Sequence, residues 1–107
     1  MTNITFYRNE NLIIGFEVSG HTGKEERGKD LLCCQISTVA QACVVGIKEV
    51  LKLNAFCEIS DGYLKIKVNP KEAKDKSVQA VFETALVSFK SIVVDEKKYA
   101  KLEVKNV

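Results

Sequence analysis

The sequence has few of the residues that mark specialised protein classes. It contains no tryptophan, one proline and one methionine among its 107 residues. A single proline and a hydrophobic content of 46% exclude a proline-rich or disordered chain. Sixteen basic residues against fourteen acidic ones leave a net charge of only +2, and no basic tract stands out. Direct binding of nucleic acid is therefore not expected.

Long apolar segments are also missing from the pattern. No apolar run approaches the ~20 residues of a membrane span, and the opening residues lack the basic-then-apolar order of a signal peptide. We therefore expect a cytoplasmic protein with no membrane partner. In that reducing compartment the four cysteines (Cys33, Cys34, Cys43 and Cys57) are expected to be buried, metal-bound or catalytic rather than joined in disulfides.

The sequence is rich in regular hydrophobic patterns, and its length predicts a single domain over residues 1–107. Alternating segments predict five strands, at residues 4–7, 14–18, in the two arms of 55–68 around a type I′ turn at Asp61-Gly62, and at 100–104. Apolar residues three and four apart predict a helix from an Asp30 N-cap to about Lys52, and another over 78–93. The predicted fold is α+β, a two-layer sandwich with two helices packed on one face of a mostly antiparallel five-stranded sheet.

Cysteine and histidine in one short chain raise the question of a metal site. Structural zinc sites favour spacings such as Cys-x-x-Cys, whereas Cys33 and Cys34 are adjacent. Cys43 and Cys57 lie on predicted core faces, so we interpret them as small buried hydrophobic residues. We expect neither a metal nor a cofactor.

Cys33 differs from the other cysteines because it lies close to a predicted helix start. Counted from Asp30, it is the third helical residue, where unpaired N–H groups and the helix dipole favour a thiolate. Cys34 is rotated by about 100° and points elsewhere. Ser37 follows one turn later, and it either donates to the thiolate or bonds back to its own turn. Asp30 either caps the helix alone or also serves the site.

His21 is the only histidine, and it lies between the second strand and a charged loop that leads to Cys33. A lone histidine is more often a plain surface residue, but a Cys and a His at the two ends of one loop meet the needs of a thiolate and imidazole dyad. The loop from Thr22 to Lys29 has nothing to bury. We predict that it is mobile and forms one wall of the substrate site, with Gly23 and Gly28 inside the loop and Gly20 just before it as the glycines of this wall.

The chain contains Gly20-His21, then a charged loop, and then Gly28-Lys29-Asp30-Leu31-Leu32-Cys33-Cys34-Gln35-Ile36-Ser37. This pattern resembles that of the bacterial ribosomal-processing cysteine protease family called Prp. The likeness extends to the layout of nearly the whole chain. It implies a cysteine endopeptidase with His21 as the catalytic histidine, Cys33 as the nucleophile, and Asp30 and Ser37 as supporting residues. Thr22 stands where the family usually has alanine, and Cys34 and Gln35 stand where small residues are common.

The resemblance also implies a substrate and an assembly. Members of the family remove an N-terminal extension from large-subunit ribosomal protein number twenty-seven during ribosome maturation, cutting after an apolar stretch that ends in Phe-Phe-Ala, and they are homodimers. The residues alone indicate only a nucleophile, a base and a loop. An alternative therefore stays open, a non-catalytic ribosome-associated binding module whose thiols are packing residues.

Overall fold

A computed structural model describes residues 1–26 and 28–107 of the chain. The elements, in chain order, are β1 (Thr2–Asn9), β2 (Leu12–Ser19), α1 (Leu31–Val45, continued by a π-helical turn at Gly46–Val50), β3 (Phe56–Ser60), β4 (Tyr63–Lys67), α2 (Pro70–Ala73), α3 (Lys76–Val93) and β5 (Ala100–Asn106). The predicted order of strands and long helices is confirmed. The structure adds α2, where Asn69-Pro70 was expected only to end a strand, because Asn69 and Glu72 form a capping box.

The five strands form one mixed sheet in the order β3-β4-β2-β1-β5. The β1–β2, β2–β4 and β3–β4 pairs are antiparallel, as expected for a mostly antiparallel sheet. The β1–β5 pair is parallel, with Thr2 opposite Ala100. Residue alternation within a strand does not reveal the direction of its partner. That direction follows from the crossover through α3, which returns the chain to the free edge of β1.

An aromatic cluster joins the helical layer to the centre of the sheet. The rings of Phe6 and Phe16, from β1 and β2, stack with centroids 4.8 Å apart. Phe89 of α3 packs edge-on against both, at 5.9 and 5.8 Å, and all three side chains are fully buried. Because each such ring contributes roughly 1.5–3 kcal/mol on burial, this cluster fixes α3 on the sheet. The expected two-layer arrangement is present.

The expectation that no apolar segment approaches the length of a membrane span is wrong for α1. The helical stretch Leu31–Val50 has 20 residues and a mean hydropathy of 1.5, so by length and composition it could cross a membrane. It is also 28% buried, and Leu32, Ile36 and Ile47 lie in the core. The core helix of a globular protein passes the same test, so this single helix is weak evidence for a membrane span.

The two hairpin turns differ in backbone conformation. In the β3–β4 turn Gly62 has a φ of 70°, whereas Asp61 is not among the described residues with positive φ. The hairpin predicted at Asp61-Gly62 is confirmed, but its assignment as type I′ is wrong, since that type needs a positive φ at both central residues. The β1–β2 turn meets this requirement, with φ of 51° at Glu10 and 70° at Asn11.

Candidate active site

The backbone beside His21 is fixed where β2 ends. The N–H of Gly20 donates to the carbonyl of Gly62 at 2.8 Å, and the Thr2 hydroxyl donates to the carbonyl of Gly20 at 3.1 Å. Gly20 has a φ of 86°, and a Cβ at this position would lie 2.4 Å from the carbonyl oxygen of Met1. A glycine is therefore required directly before His21.

The imidazole of His21 lies against the β3–β4 turn. Its Nε2 is 3.9 Å from Oδ1 of Asp61. A Cβ on Gly62 would lie only 2.9 Å from the same nitrogen, so the ring approaches the turn backbone closely. The His21 side chain remains 51% exposed. It is supported on one side and accessible on the other.

Cys33 is the third residue of α1, as predicted, and Asp30 is the N-cap. Oδ1 of Asp30 accepts the N–H of Cys33 at 2.9 Å, while Oδ2 accepts a hydrogen bond from the hydroxyl of Thr22. These bonds, that of Thr22 foremost, hold the pKa of Asp30 below its usual range. The Asp30 carboxylate therefore joins the residue after His21 to the backbone of Cys33.

The loop is anchored at its start, so the expectation that it has nothing to bury is wrong at Thr22, which is only 3% exposed. Threonine can bury its methyl group while its hydroxyl stays bonded. Two residues later, the Lys24 ammonium donates to Glu96 at 2.7 Å, and this bond raises the pKa of Lys24. Arg27, which also belongs to the predicted mobile loop, lies outside the described residues.

Two cavities are lined in common by His21, Cys33 and Ser37. The first has a volume of about 240 Å³. Its apolar walls come from β2, α1 and the β3–β4 hairpin, and include Val18, Ile36, Ala40, Ile59 and Leu64. The second has a volume of about 550 Å³ and opens beside the loop, with Gly23, Glu25, Gly28, Asp30 and Cys34 in its lining. The structure thus brings together the predicted site residues of the β2–α1 loop and of α1, and the β3–β4 hairpin adds a further wall.

Ser37 does not adopt the back-bonded arrangement considered from its sequence position. Its Oγ accepts a hydrogen bond from Nε2 of Gln41 at 2.8 Å. The hydroxyl hydrogen can then point into the site. Back-bonding occurs at the neighbouring Thr38, whose hydroxyl donates to the carbonyl of Cys34 at 2.8 Å.

Of the two thiols predicted to be buried in the core, Cys43 is buried and Cys57 is not fully buried. Cys43 is 4% exposed, and burial raises its pKa to about 12, which makes it a poor nucleophile at neutral pH. Cys57 is partly buried on β3, and neither of these thiols lines the two cavities. Cys34 is exposed and lines the second cavity. Within residues 1–26 and 28–107, no group of three His, Cys, Asp or Glu side chains could hold a metal ion.

Sequence reasoning missed the contacts that hold this site in place. The sequence indicates Thr22 only as the first residue of a loop and as a departure from a family pattern, and Asp61 and Gly62 only as a turn. No sequence pattern distinguishes Gln41. Each acts across a tertiary contact, and no local spacing reports such a contact. The one usable signal was the position of Thr22 between His21 and a capping aspartate.

A thiol at a helix N-terminus, with an imidazole in the same pair of cavities, is typical of cysteine-dependent hydrolases. The comparison with protein families gives the particular class. The family described as cysteine protease Prp matches residues 1–101. The chain belongs to this family. No curated protein matches it.

Solved structures share the fold over 96–100% of their length. A Streptococcus mutans protein, SMU.848, matches with a TM-score of 0.87 at 23% identity, over 100% of this chain and 96% of that one. The essential ribosomal processing protease Prp of S. aureus, in complex with a covalently linked product peptide, matches with a TM-score of 0.89 at 21% identity, over 98% and 100%. The same protease with a substrate peptide gives 0.84 at 20% identity, over 98% and 100%.

Proposed function

We propose that this cysteine protease is an endopeptidase that removes the N-terminal extension of large-subunit ribosomal protein number twenty-seven during ribosome maturation. The observation that carries the proposal is the convergence of His21 and Cys33 on two adjoining cavities, in a chain whose family is that of Prp. Two cavities that share the same thiol offer room for peptide on either side of a scissile bond.

In the proposed mechanism His21 takes the proton of the Cys33 thiol, and the thiolate attacks the scissile carbonyl. The imidazolium then protonates the leaving amine, and water hydrolyses the thioester. Asp30 and Ser37 support this chemistry from one turn of α1, Asp30 through the Cys33 N–H and Ser37 from the shared lining of both cavities. Helix N–H groups not bonded to Asp30, those of Leu31 and Leu32, are our candidates for the oxyanion donors.

The walls of the first cavity support an apolar substrate. Aliphatic side chains from β2, α1 and β3 face it, and such a surface suits the apolar stretch ending in Phe-Phe-Ala that the family resemblance implies. The Prp of S. aureus has been seen with a substrate peptide and with a covalently linked product peptide. We propose the same class of ligand for this chain, with the glycine-containing loop as the wall of the second cavity.

A homodimer in the cytoplasm completes the proposal. Its support is the resemblance, together with exposed apolar side chains on the helical layer, among them Val45 and Val50 of the α1 stretch and Val87 of α3. Exposed aliphatic residues of this kind are available for contact with a second copy. Light scattering after size exclusion would measure the expected mass of two chains.

The test is incubation of the purified protein with the extended ribosomal protein precursor, followed by mass spectrometry of the products. We expect one new N-terminus behind the apolar stretch, and no cleavage by a Cys33→Ala variant. An intact precursor with the wild-type protein would reject the proposal. If the same protein nevertheless bound the precursor, the alternative of a non-catalytic binding module would take its place.

A His21→Ala variant separates catalysis from folding. The side chain is half exposed, so its loss should cost under ~0.5 kcal/mol and leave the melting temperature within a few degrees of wild type. Cleavage should fall by at least ~100-fold, the usual contribution of a general base. Cleavage near the wild-type rate would show that Cys33 is activated by the helix alone.

A further inference from the structure

We propose that Asp61, in the turn between β3 and β4, is a positioning residue for His21. Cys33, His21 and Asp61 then act together as nucleophile, base and positioning residue. The Asp61 carboxylate holds the imidazole by the Nε2 edge, which leaves Nδ1 as the nitrogen that receives the thiol proton. This inference rests on the proposed function, in which His21 is the base. It assigns a role to a hairpin that the sequence marks only as a turn.

The first support is the direction of the ring. Nε2 of His21 and Oδ1 of Asp61 are 3.9 Å apart, a spacing that one small adjustment of an exposed side chain converts into a hydrogen bond. A histidine has two ring nitrogens with separate tasks, and the partner of one sets the task of the other. A carboxylate at Nε2 favours the N–H on that atom.

The second support is that the turn is built to receive the ring. Gly62 leaves the space that a Cβ would fill, 2.9 Å from Nε2, and its φ of 70° suits glycine. The carbonyl of the same glycine accepts the N–H of Gly20, one residue before His21. Backbone contact and ring contact thus come from a single turn, which places the Asp61 carboxylate beside the imidazole.

The third support is the charge that catalysis creates. When Cys33 gives up its proton, His21 becomes an imidazolium and carries a positive charge. The negative charge of Asp61 at 3.9 Å stabilises that state relative to the neutral ring. Because both side chains are more than half exposed, at 51% and 68%, water screens the attraction and the effect is moderate.

The test compares Asp61→Asn with Glu58→Gln in the precursor cleavage assay. Asparagine suits the same turn, so the hairpin is kept while the charge is lost. Glu58 is an exposed carboxylate of the same hairpin, outside both cavities, and its variant controls for net charge. We expect kcat to fall about tenfold in Asp61→Asn with KM unchanged, and neither constant to change in Glu58→Gln.

A second measurement does not depend on the substrate. The rate at which a neutral haloacetamide alkylates Cys33 near pH 7 should also fall in Asp61→Asn, while the exposed Cys34 of the same molecule should react at its wild-type rate. Unchanged kcat and an unchanged Cys33 alkylation rate would overturn the role of Asp61 even if the wild-type protein cleaves the precursor. If the wild type cleaves nothing but Cys33 slows selectively, the positioning role stands and the proposed substrate fails.

Discussion

The two long helices begin in the same way and serve different purposes. Each starts with an aspartate N-cap that accepts a backbone N–H, from Cys33 to Asp30 in α1 and from Ser77 to Asp75 in α3. The third helical residue is Cys33 in α1, where it lines two cavities, and Val78 in α3, where it is 1% exposed in the core. The same capping chemistry thus precedes a cavity-lining thiol in one helix and a packing residue in the other.

The caps also differ in what lies behind them. Oδ2 of Asp30 accepts the Thr22 hydroxyl and, more distantly, the N–H of Glu25 at 3.4 Å. Asp75 bonds within its own helix end. A capping residue can therefore bond only within its own helix end, as Asp75 does, or also bond another segment, as Asp30 does. Only the Asp30 cap connects the residue after His21 to the helix that carries Cys33. Four predictions probe this difference.

The largest effect on cleavage is expected from removing the Cys33 thiol near the start of α1. Cys33→Ala should abolish cleavage, whereas Cys43→Ala, deeper in the same helix, should cleave normally and lose about 1 kcal/mol of stability through a small cavity. Intact-mass spectra during limited alkylation should show Cys33 modified first and Cys43 last. Early modification of Cys43 would mean that the buried thiol becomes accessible and that the two cysteines have been assigned wrongly.

The next effect distinguishes the two caps directly. Asp75→Ala should lower the free energy of unfolding by about 1 kcal/mol, because it removes one capping bond. Asp30→Ala should lower it further, because it also removes the partner of the buried Thr22 hydroxyl. Only Asp30→Ala should also slow cleavage, by about tenfold or more, since it breaks the link to Thr22. Urea unfolding and initial rates measure the two quantities. Equal rates for the two variants would reduce Asp30 to a plain helix cap.

A smaller effect is expected at Thr22. Thr22→Val keeps the shape and removes the hydroxyl that bonds Asp30, so kcat should fall about three- to tenfold with KM nearly unchanged, the loss of one hydrogen bond to a charged group being ~1 kcal/mol or more. Thr22→Ser should restore most of the rate. If Thr22→Val and Thr22→Ser behave alike, the hydroxyl is not what matters.

The smallest effect is expected in the free energy of unfolding at low pH. Folding lowers the pKa of Asp30 below its ordinary value of 3.8, so the carboxylate's contribution to stability is present above that value and is lost as the pH falls through the folded pKa. The gap in unfolding free energy between wild type and Asp30→Asn should therefore be constant near about pH 6 and shrink below about pH 3. A gap that stays constant into acid would show that the charged form is not favoured by folding.

Local patterns predicted the positions of the candidate residues better than the tertiary contacts that hold them. Asp30 as N-cap, Cys33 as the third helical residue and the burial of Cys43 all follow from short-range spacing, and the structure confirms each. The direction of β5, the burial of Thr22 and the approach of Gly62 to the His21 ring depend on segments distant in sequence. No pattern within one segment encodes them, so they could not be predicted from it.

The parallel pairing of β1 with β5 has a consequence for how the chain assembles. Thr2 lies opposite Ala100, so this contact closes nearly the whole chain, whereas β1 and β2 meet across a two-residue turn. Loop-closure entropy and contact order make such distant pairings slow. During synthesis the segments that contain His21 and Asp61 leave the ribosome before β5 does, and until then the edge of β1 has no partner strand. A nascent chain that stalls before residue 100 thus exposes a template for pairing with other strands.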